Sequence, residues 1–283
     1  MENKELLGFS LAYLDSRISS FRYLVSERTL AVLNQIALTE KILGVTDTFS
    51  LSLLSMLIHL CQPTRFLQLG THCGYTALVL ADIMKHNFRL GRLYTVEINP
   101  EFHQHARQKA EAAGLTDVIN FIDGSSIDKK VIDTVRNHGP FEMVYIDSSH
   151  AYTETLKELD YYVNDKSIVS PTSIVLLHDA THFAQQYDPT KSGGVRKAIE
   201  EWYAKHHHDH QLFIFEPPTW PNACGLALIT GRPDNLKWDT NNPTSGSTDS
   251  KIRKAIYVLR TEGSTSLLRA VVRYLKRVLN IKG

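Results

Sequence analysis

Between residues 65 and 230 the chain alternates short apolar runs with longer amphipathic stretches, and that alternation restricts its fold more than any other feature. The runs FLQL (66–69), LYTVEI (93–98), VINFI (118–122), MVYID (143–147) and SIVLLHD (173–179) read as buried strands. Helices are expected from Tyr75 to Lys85, from Pro100 to Ala113, beyond Ser125, from Tyr152 to about Val163, and from Gly194 to Lys205. A strand–helix alternation of this kind builds a mainly parallel sheet with helices on both faces. Two closing runs, LFIF (212–215) and GLALIT (225–230), have no helix between them and predict an antiparallel hairpin at one edge. The expected class is α/β, a mainly parallel seven-stranded sheet of the Rossmann-like type.

The segments flanking this region have their own character. Residues 1–62 read as a helical N-terminal extension, a lid or an oligomer contact. In it Leu51, Leu53, Leu54, Met56, Leu57 and Leu60 cover more than one face of a helix that Thr48 or Ser50 would cap. Residues 63–232 form the expected globular domain. Residues 233–250, with the polar run DTNNPTSGSTDS at 239–250, read as a flexible linker. Residues 251–283 carry nine basic residues against the single acid Glu262, so a chain of net charge +1 divides into a tail of +8 and a body of −7.

A mildly acidic body argues against nucleic acid as the main partner, because a phosphate-binding surface is basic where the phosphates lie. In the tail, Leu267, Leu268, Val271, Val272, Leu275, Val278 and Leu279 share one helical face opposite Arg269, Arg273, Lys276 and Arg277. Such a helix fits peripheral contact of residues 264–283 with an anionic membrane surface, or packing against this chain or a second subunit; the second reading is preferred. A homo-oligomer is therefore expected. The N-terminus lacks a signal-peptide pattern, and no run approaches the roughly 18 apolar residues of a membrane span. Cys61, Cys73 and Cys224 are odd in number and far apart, which fits a reducing compartment. The expected location is cytoplasmic, with any membrane contact peripheral and on the inner face.

In an open α/β sheet, ligands bind beyond the C-terminal strand ends, where the strand order reverses. Polar residues at those ends are the first candidates for a site. LQLGTHCGYT places Gly70 and Gly74 after the first strand, as G-x-x-x-G and not the G-x-G-x-x-G of dinucleotide sites. The pair suits close approach of a ligand to backbone amides, or simply a tight turn. TVEINPE ends the second strand on Glu97, where an acid accepts hydrogen bonds from ribose hydroxyls or merely favours a helix start. After the third strand, Asp123, Gly124 and Ser125 are positioned to meet a nucleoside base, although Ser125 also suits a helix cap.

The fourth and fifth strands end on Asp147 and on His178-Asp179, with His150 three residues beyond Asp147. Carboxylates and imidazole converging on one rim can hold a divalent cation that aligns vicinal oxygens and lowers a hydroxyl pKa. His150 is the candidate base. Plainer roles exist: Asp147 as a cofactor contact or a cap for the helix at Tyr152, His150 as a loop hydrogen-bonder. HHHDH (206–210) reads as a solvated helix end. The stretch THFAQQYDPTKSGG, with His182, Tyr187 and the hinge candidates Gly193 and Gly194, reads as a lid or substrate wall, and Trp220 as a pocket or edge-loop residue.

Together LGTHCGYT, TVEINPE, IDGSS and VYIDSSH resemble the class I S-adenosylmethionine (SAM)-dependent methyltransferases over roughly Thr64 to Arg232. The resemblance implies that Gly70, Thr71, Gly74 and Tyr75 underlie the cofactor, Glu97 holds the ribose, Asp123 to Ser126 border the adenine, and Asp147 contributes as well. The Asp-x-x-His motif further resembles macrolide-sugar O-methyltransferases of the macrocin and mycinamicin type and the cephalosporin hydroxylase-like group. That implies Asp147 and Asp179 as ligands of Mg2+ or another divalent metal and His150 as general base. His178 replaces the first of two acids, pointing to a third ligand for a softer metal or to a weakened site. The expected activity is O-methylation of a hydroxyl on a small molecule, a sugar or natural-product moiety. The alternatives are a hydroxylase-like or oxidoreductase relative, and a noncatalytic SAM-binding module.

Overall fold

The computed structural model describes residues 24–39, 46–87, 91–216 and 224–232. The elements run α1 (Glu27–Thr39), α2 (Thr48–Cys61), β1 (Arg65–Leu69), α3 (Tyr75–Asn87), β2 (Arg92–Glu97), α4 (Pro100–Ala113), β3 (Ile119–Asp123), α5 (Lys129–His138), β4 (Phe141–Ile146), α6 (Tyr152–Asn164), β5 (Val169–His178), a 3₁₀ turn (Phe183–Tyr187), α7 (Gly194–His206), β6 (His210–Phe215) and β7 (Leu226–Gly231). One seven-stranded sheet has the order β3-β2-β1-β4-β5-β7-β6. β1 to β5 pair in parallel, and β7 runs antiparallel to both β5 and β6. The α/β class, the seven strands and the closing edge hairpin are as the sequence pattern predicts.

Because successive strand residues point to opposite faces, each central strand feeds two cores. Phe66, Met143, Tyr145, Leu176 and Leu228 face the layer of α1, α2, α3 and α4. Leu67, Leu69, Val144, Ile146, Leu177 and Ile229 face α5, α6 and α7. Burial on both faces explains why these strands read as unbroken apolar runs and do not alternate. α2 is apolar nearly all round for a related reason: Leu51, Leu54, Leu57, Ile58 and Cys61 are all fully buried.

Several boundaries differ from expectation. α2 is capped by Asp47, whose side chain accepts from Ser50 N at 3.0 Å, and neither Thr48 nor Ser50 serves as the cap. Asp47 offers two carboxylate oxygens to the helix start, where a hydroxyl offers one. α5 begins at Lys129, so Ser125 lies in the preceding turn and Asp128 stands at the cap position. The histidine run divides: His206 ends α7 with its ring stacked 4.3 Å from Trp202, and His210 opens β6 against the same indole at 5.2 Å. Trp220, the linker at 233–250 and the basic tail at 251–283 lie outside the described residues. No helix among the described residues is long and apolar enough to cross a membrane.

α1 is fastened to the sheet-covering layer through one buried acid. Asp82 on α3 is 1% exposed and accepts from Ser26 N (2.8 Å), Ser26 Oγ (2.6 Å) and Thr29 Oγ1 (2.6 Å). Hydrogen bonds to a charged acceptor contribute about 1.5–3 kcal/mol each, and their loss leaves buried donors unpaired. Asp82→Ala is expected to lower the unfolding free energy in urea by roughly 3 kcal/mol or more; a loss under about 0.5 kcal/mol, the scale of a neutral surface change, would mean that α1 does not depend on this acid.

Candidate active site

The chain leaves β1 to build β2 and β3 on one side, then returns to place β4 on the other, so the strand order reverses between β1 and β4. At that point Gly70 follows β1 with φ +89°, and a Cβ on it would sit 2.0 Å from the Asp147 carbonyl oxygen. Only glycine lets the two strand ends pass so closely. Gly74, at φ +88°, likewise closes against Ala106, whose Cβ would lie 3.0 Å from an added methyl. The turn between them floors a small cleft lined by residues that include Thr46, Gly70, Thr71, His72, Tyr75 and Asp147. The predicted glycine turn is therefore at the mouth of the sheet, with Thr71 and Tyr75 in its wall.

Glu97 ends β2 beside this turn and is 8% exposed. Its carboxylate accepts from the amides of Thr71 (3.0 Å), His72 (2.7 Å) and Asn99 (2.9 Å). An ionised carboxylate has about four acceptor positions, so these bonds leave one for a ligand hydroxyl. Register places Asp123 directly across from Glu97. Asp123, however, is turned to α4, paired with His103 and accepting from Arg107 Nη2 at both carboxylate oxygens, at 3.1 and 3.0 Å. Gly124 follows at φ +133° with its amide on the Glu97 carbonyl, and Ser125 Oγ faces the Ile127 amide at 3.4 Å. Ile98 is 70% exposed, and Phe102 lies edge-on to His72 with ring centroids 4.8 Å apart. This apolar shelf beside Glu97 carried no sequence signal, because exposure of a single Ile or Phe is invisible to periodicity.

Beyond β4 and β5 the structure brings all four predicted groups together. His150 Nε2 lies 2.8 Å from Asp179 Oδ2. His178 Nδ1 lies 3.2 Å from Asp147 Oδ1 and 3.5 Å from Asp179 Oδ1. Asp179 adopts φ +57°, a left-handed conformation that Asp and Asn tolerate better than most residues. The hydrogen bond that His150 donates to Asp179 raises the His150 pKa, against the opposing effect of burial. Burial disfavours ionised Asp179, yet the two imidazoles hold its carboxyl far below the usual range.

Two partners were missed from sequence. Asp47 Oδ2 meets His178 Nε2 at 2.9 Å, and Thr46 Oγ1 lies within hydrogen-bond distance of Asp147 Oδ2 (2.9 Å) and of the Tyr145 and Thr76 hydroxyls. Tyr145 donates to Asp147 Oδ2 at 3.0 Å, which leaves the Thr46 hydroxyl proton for the Tyr145 oxygen. Asp47 stands 131 residues from His178, a separation no local pattern reports. Burial opposes charge on His178, but Tyr145, Asp147 and Asp179 hold its pKa well above the ordinary histidine value. With a carboxylate at each ring nitrogen, His178 acts as an internal cation.

That arrangement bears on the expected metal. One ligand atom each from Asp147, His150 and Asp179 lie within 4.8 Å of one another, a hard oxygen pair with one imidazole that fits a divalent cation. One ligand atom each from His178, Asp179 and Cys224 also lie within 4.8 Å of one another. His178 is the weaker ligand of the predicted set, since Asp47 and Asp147 already occupy its nitrogens. Its charge also offsets part of the pull of the acids on a cation.

The predicted lid stretch rises from the same rim. The Tyr187 ring lies 6.3 Å from His150 and 5.9 Å from Phe183, and both aromatics are exposed. Buried Asp188 accepts from the amides of Thr190, Ser192 and Gly194, which sets the loop's shape before any ligand arrives.

Residues 67–180 match the family model described as a methyltransferase domain. Over 102 residues the chain is 35% identical to catechol O-methyltransferase of Niastella koreensis, an alignment covering 36% of this chain and 45% of that protein. The chain spans less than half the length of the curated relatives it matches. Its fold is similar to an O-methyltransferase from Bacillus cereus in complex with S-adenosylhomocysteine (SAH), at TM-score 0.60 and 16% identity over 73% of this chain and 91% of that one. It is similar as well to TomG from Streptomyces achromogenes in complex with SAM, at TM-score 0.60 and 18% identity over 78% and 98%. Residues 67–180 thus match a methyltransferase domain, and the described residues share the Rossmann-like fold of these O-methyltransferase structures.

Proposed function

We propose that the protein transfers a methyl group from SAM to a hydroxyl of a small molecule. The observation that carries this reading is the convergence of His150, Asp147 and Asp179 on the rim beside the glycine-floored cleft. The relative from Niastella koreensis bears the name of the same reaction class, on a catechol. The cofactor supplies an electrophilic methyl on a sulfonium, so the protein has to bind it, orient the acceptor and remove one proton.

This chain's residues suit each task. The turn from Gly70 to Tyr75 presents backbone to the cofactor, and Glu97 has an acceptor position for a ribose hydroxyl. Ile98 and Phe102 offer an apolar surface to a flat base, beside Gly124 and Ser125. Asp123 would contribute through its place at the strand end, since its carboxylate is engaged by Arg107. His150, oriented by Asp179, is placed to take the acceptor's proton. Phe183 and Tyr187 would wall the acceptor, a sugar or natural-product moiety carrying the hydroxyl. A divalent cation held by Asp147 and Asp179 would align acceptor oxygens and acidify the hydroxyl.

Self-association, and recruitment to the inner membrane face through basic residues of 264–283, are separate proposals supported by sequence pattern alone.

His150→Ala is expected to lower methyl transfer by roughly 10²–10⁴-fold, the usual worth of a positioned base, with SAH affinity retained. Unchanged turnover would remove His150 from the chemistry. Calorimetric titration with Mn2+ should give one site that Asp179→Asn weakens by about tenfold or more. Equal binding by both proteins would exclude Asp179 as a ligand.

A further inference from the structure

One fully buried acid lies outside the groups assigned above. Glu158 on α6 is 0% exposed, and its Oε1 accepts the hydroxyls of both Ser126 and Ser148. Ser126 lies in the loop after β3, Ser148 in the loop after β4, and β2 and β1 stand between those two strands. The two loops thus flank the crevice, and a single carboxylate oxygen ties them from beneath. One turn further along α6, Tyr162 donates to the Ser126 carbonyl at 2.6 Å, a second tie from the same helix face. On the other side, Ser148 Cα would lie 2.9 Å from a Cβ on Gly70, so the position of Ser148 sets how closely the glycine turn can approach. Glu158 Oε2 has no hydrogen-bond partner among the described residues. A buried acid with half its acceptor capacity unused is costly to keep for packing alone.

We infer that Glu158 is a positioning residue for cofactor binding: it fixes the spacing of the post-β3 and post-β4 loops, and hence the width of the crevice, without touching cofactor or acceptor. This rests on the reading that the turn at Gly70 and Glu97 hold SAM. The same carboxyl has a pH signature. Burial, with Glu154 and Asp147 adding to it and the two serine hydroxyls opposing, pushes its pKa up to about 7. The folded protein then binds a proton that the unfolded chain, near the ordinary value of 4.5, has already released. Stability contributed at this site therefore falls as pH rises from about 4.5 through 7.

The test is calorimetric titration of the full chain with SAH, comparing wild type, Glu158→Ala, Glu158→Gln and the pair Ser126→Ala with Ser148→Ala. Glu158→Ala is expected to weaken SAH binding about tenfold or more, with Glu158→Gln, which keeps an oxygen for both hydroxyls, within about threefold of wild type. The serine double variant should match Glu158→Ala and not exceed it, as for groups acting through one acceptor. The Tm advantage of Glu158→Gln over wild type should grow between pH 5 and pH 8. Wild-type affinity in Glu158→Ala, or Glu158→Gln as weak as Ala, would each overturn the inference. Should Glu158→Ala fail to fold, the serine variant and Glu158→Gln decide the question in its place. If wild type itself ignores SAH, the assignment of the cleft fails first. The positioning role is then read from amide exchange at 124–128 and 147–150, which Glu158→Ala should accelerate in both loops together; acceleration in neither would overturn it.

Discussion

The passage of Gly70 over the Asp147 carbonyl governs the geometry of the whole rim. With φ at +89° and room for no side chain, this residue lets β1 and β4 end side by side at the point where strand order reverses. Everything with chemical potential is referred to that junction. Glu97 reaches it from β2 through the Thr71 and His72 amides, and Asp147 emerges from β4 against it. A side chain here would force the strand ends apart and separate the glycine turn from the acids beyond β4 and β5.

The second organising element is electrostatic. Three acids, Asp47, Asp147 and Asp179, surround the His178 imidazole, and His150 pairs with Asp179 from the more exposed side. Carboxylates buried at such short range would repel one another strongly without a cation between them. His178 supplies that cation from within the protein. The rim can therefore be assembled before any ligand arrives, and His150 stays oriented while half-exposed. Asp47 serves twice, capping α2 through Oδ1 and pairing with His178 through Oδ2. The N-terminal helical layer is in this way part of the site, consistent with its contribution to the same core as the sheet.

Strand identities, the mainly parallel character of the sheet and the polar strand ends were legible because each arises from local pattern: apolar runs for strands buried on both faces, and ligand-facing residues at their C-termini. What escaped depends on contacts between distant segments. Nothing near Thr46 or Asp47 announces that they would meet Tyr145, Asp147 and His178. Asp123 reads as a base contact from its position at a strand end, but His103 and Arg107 on α4 engage its carboxylate, a pairing across 20 and 16 residues that no strand-end pattern records. Glu158 looks, in ETLKELDYY, like one more acid on a helix surface, and only the packing of α6 beneath two serine loops makes it buried. His178 stood out as a departure from the expected acid pair, whereas its meaning came from the carboxylates on both ring nitrogens.

A crystal structure of the protein grown with SAH tests the central proposition most directly. The nucleoside is expected in the crevice between the ends of β1 and β4, a ribose hydroxyl at Glu97, its sulfur facing the rim that carries His150. A nucleoside lodged elsewhere, with the Glu97 carboxylate still committed only to backbone amides, would contradict that placement and the function built on it.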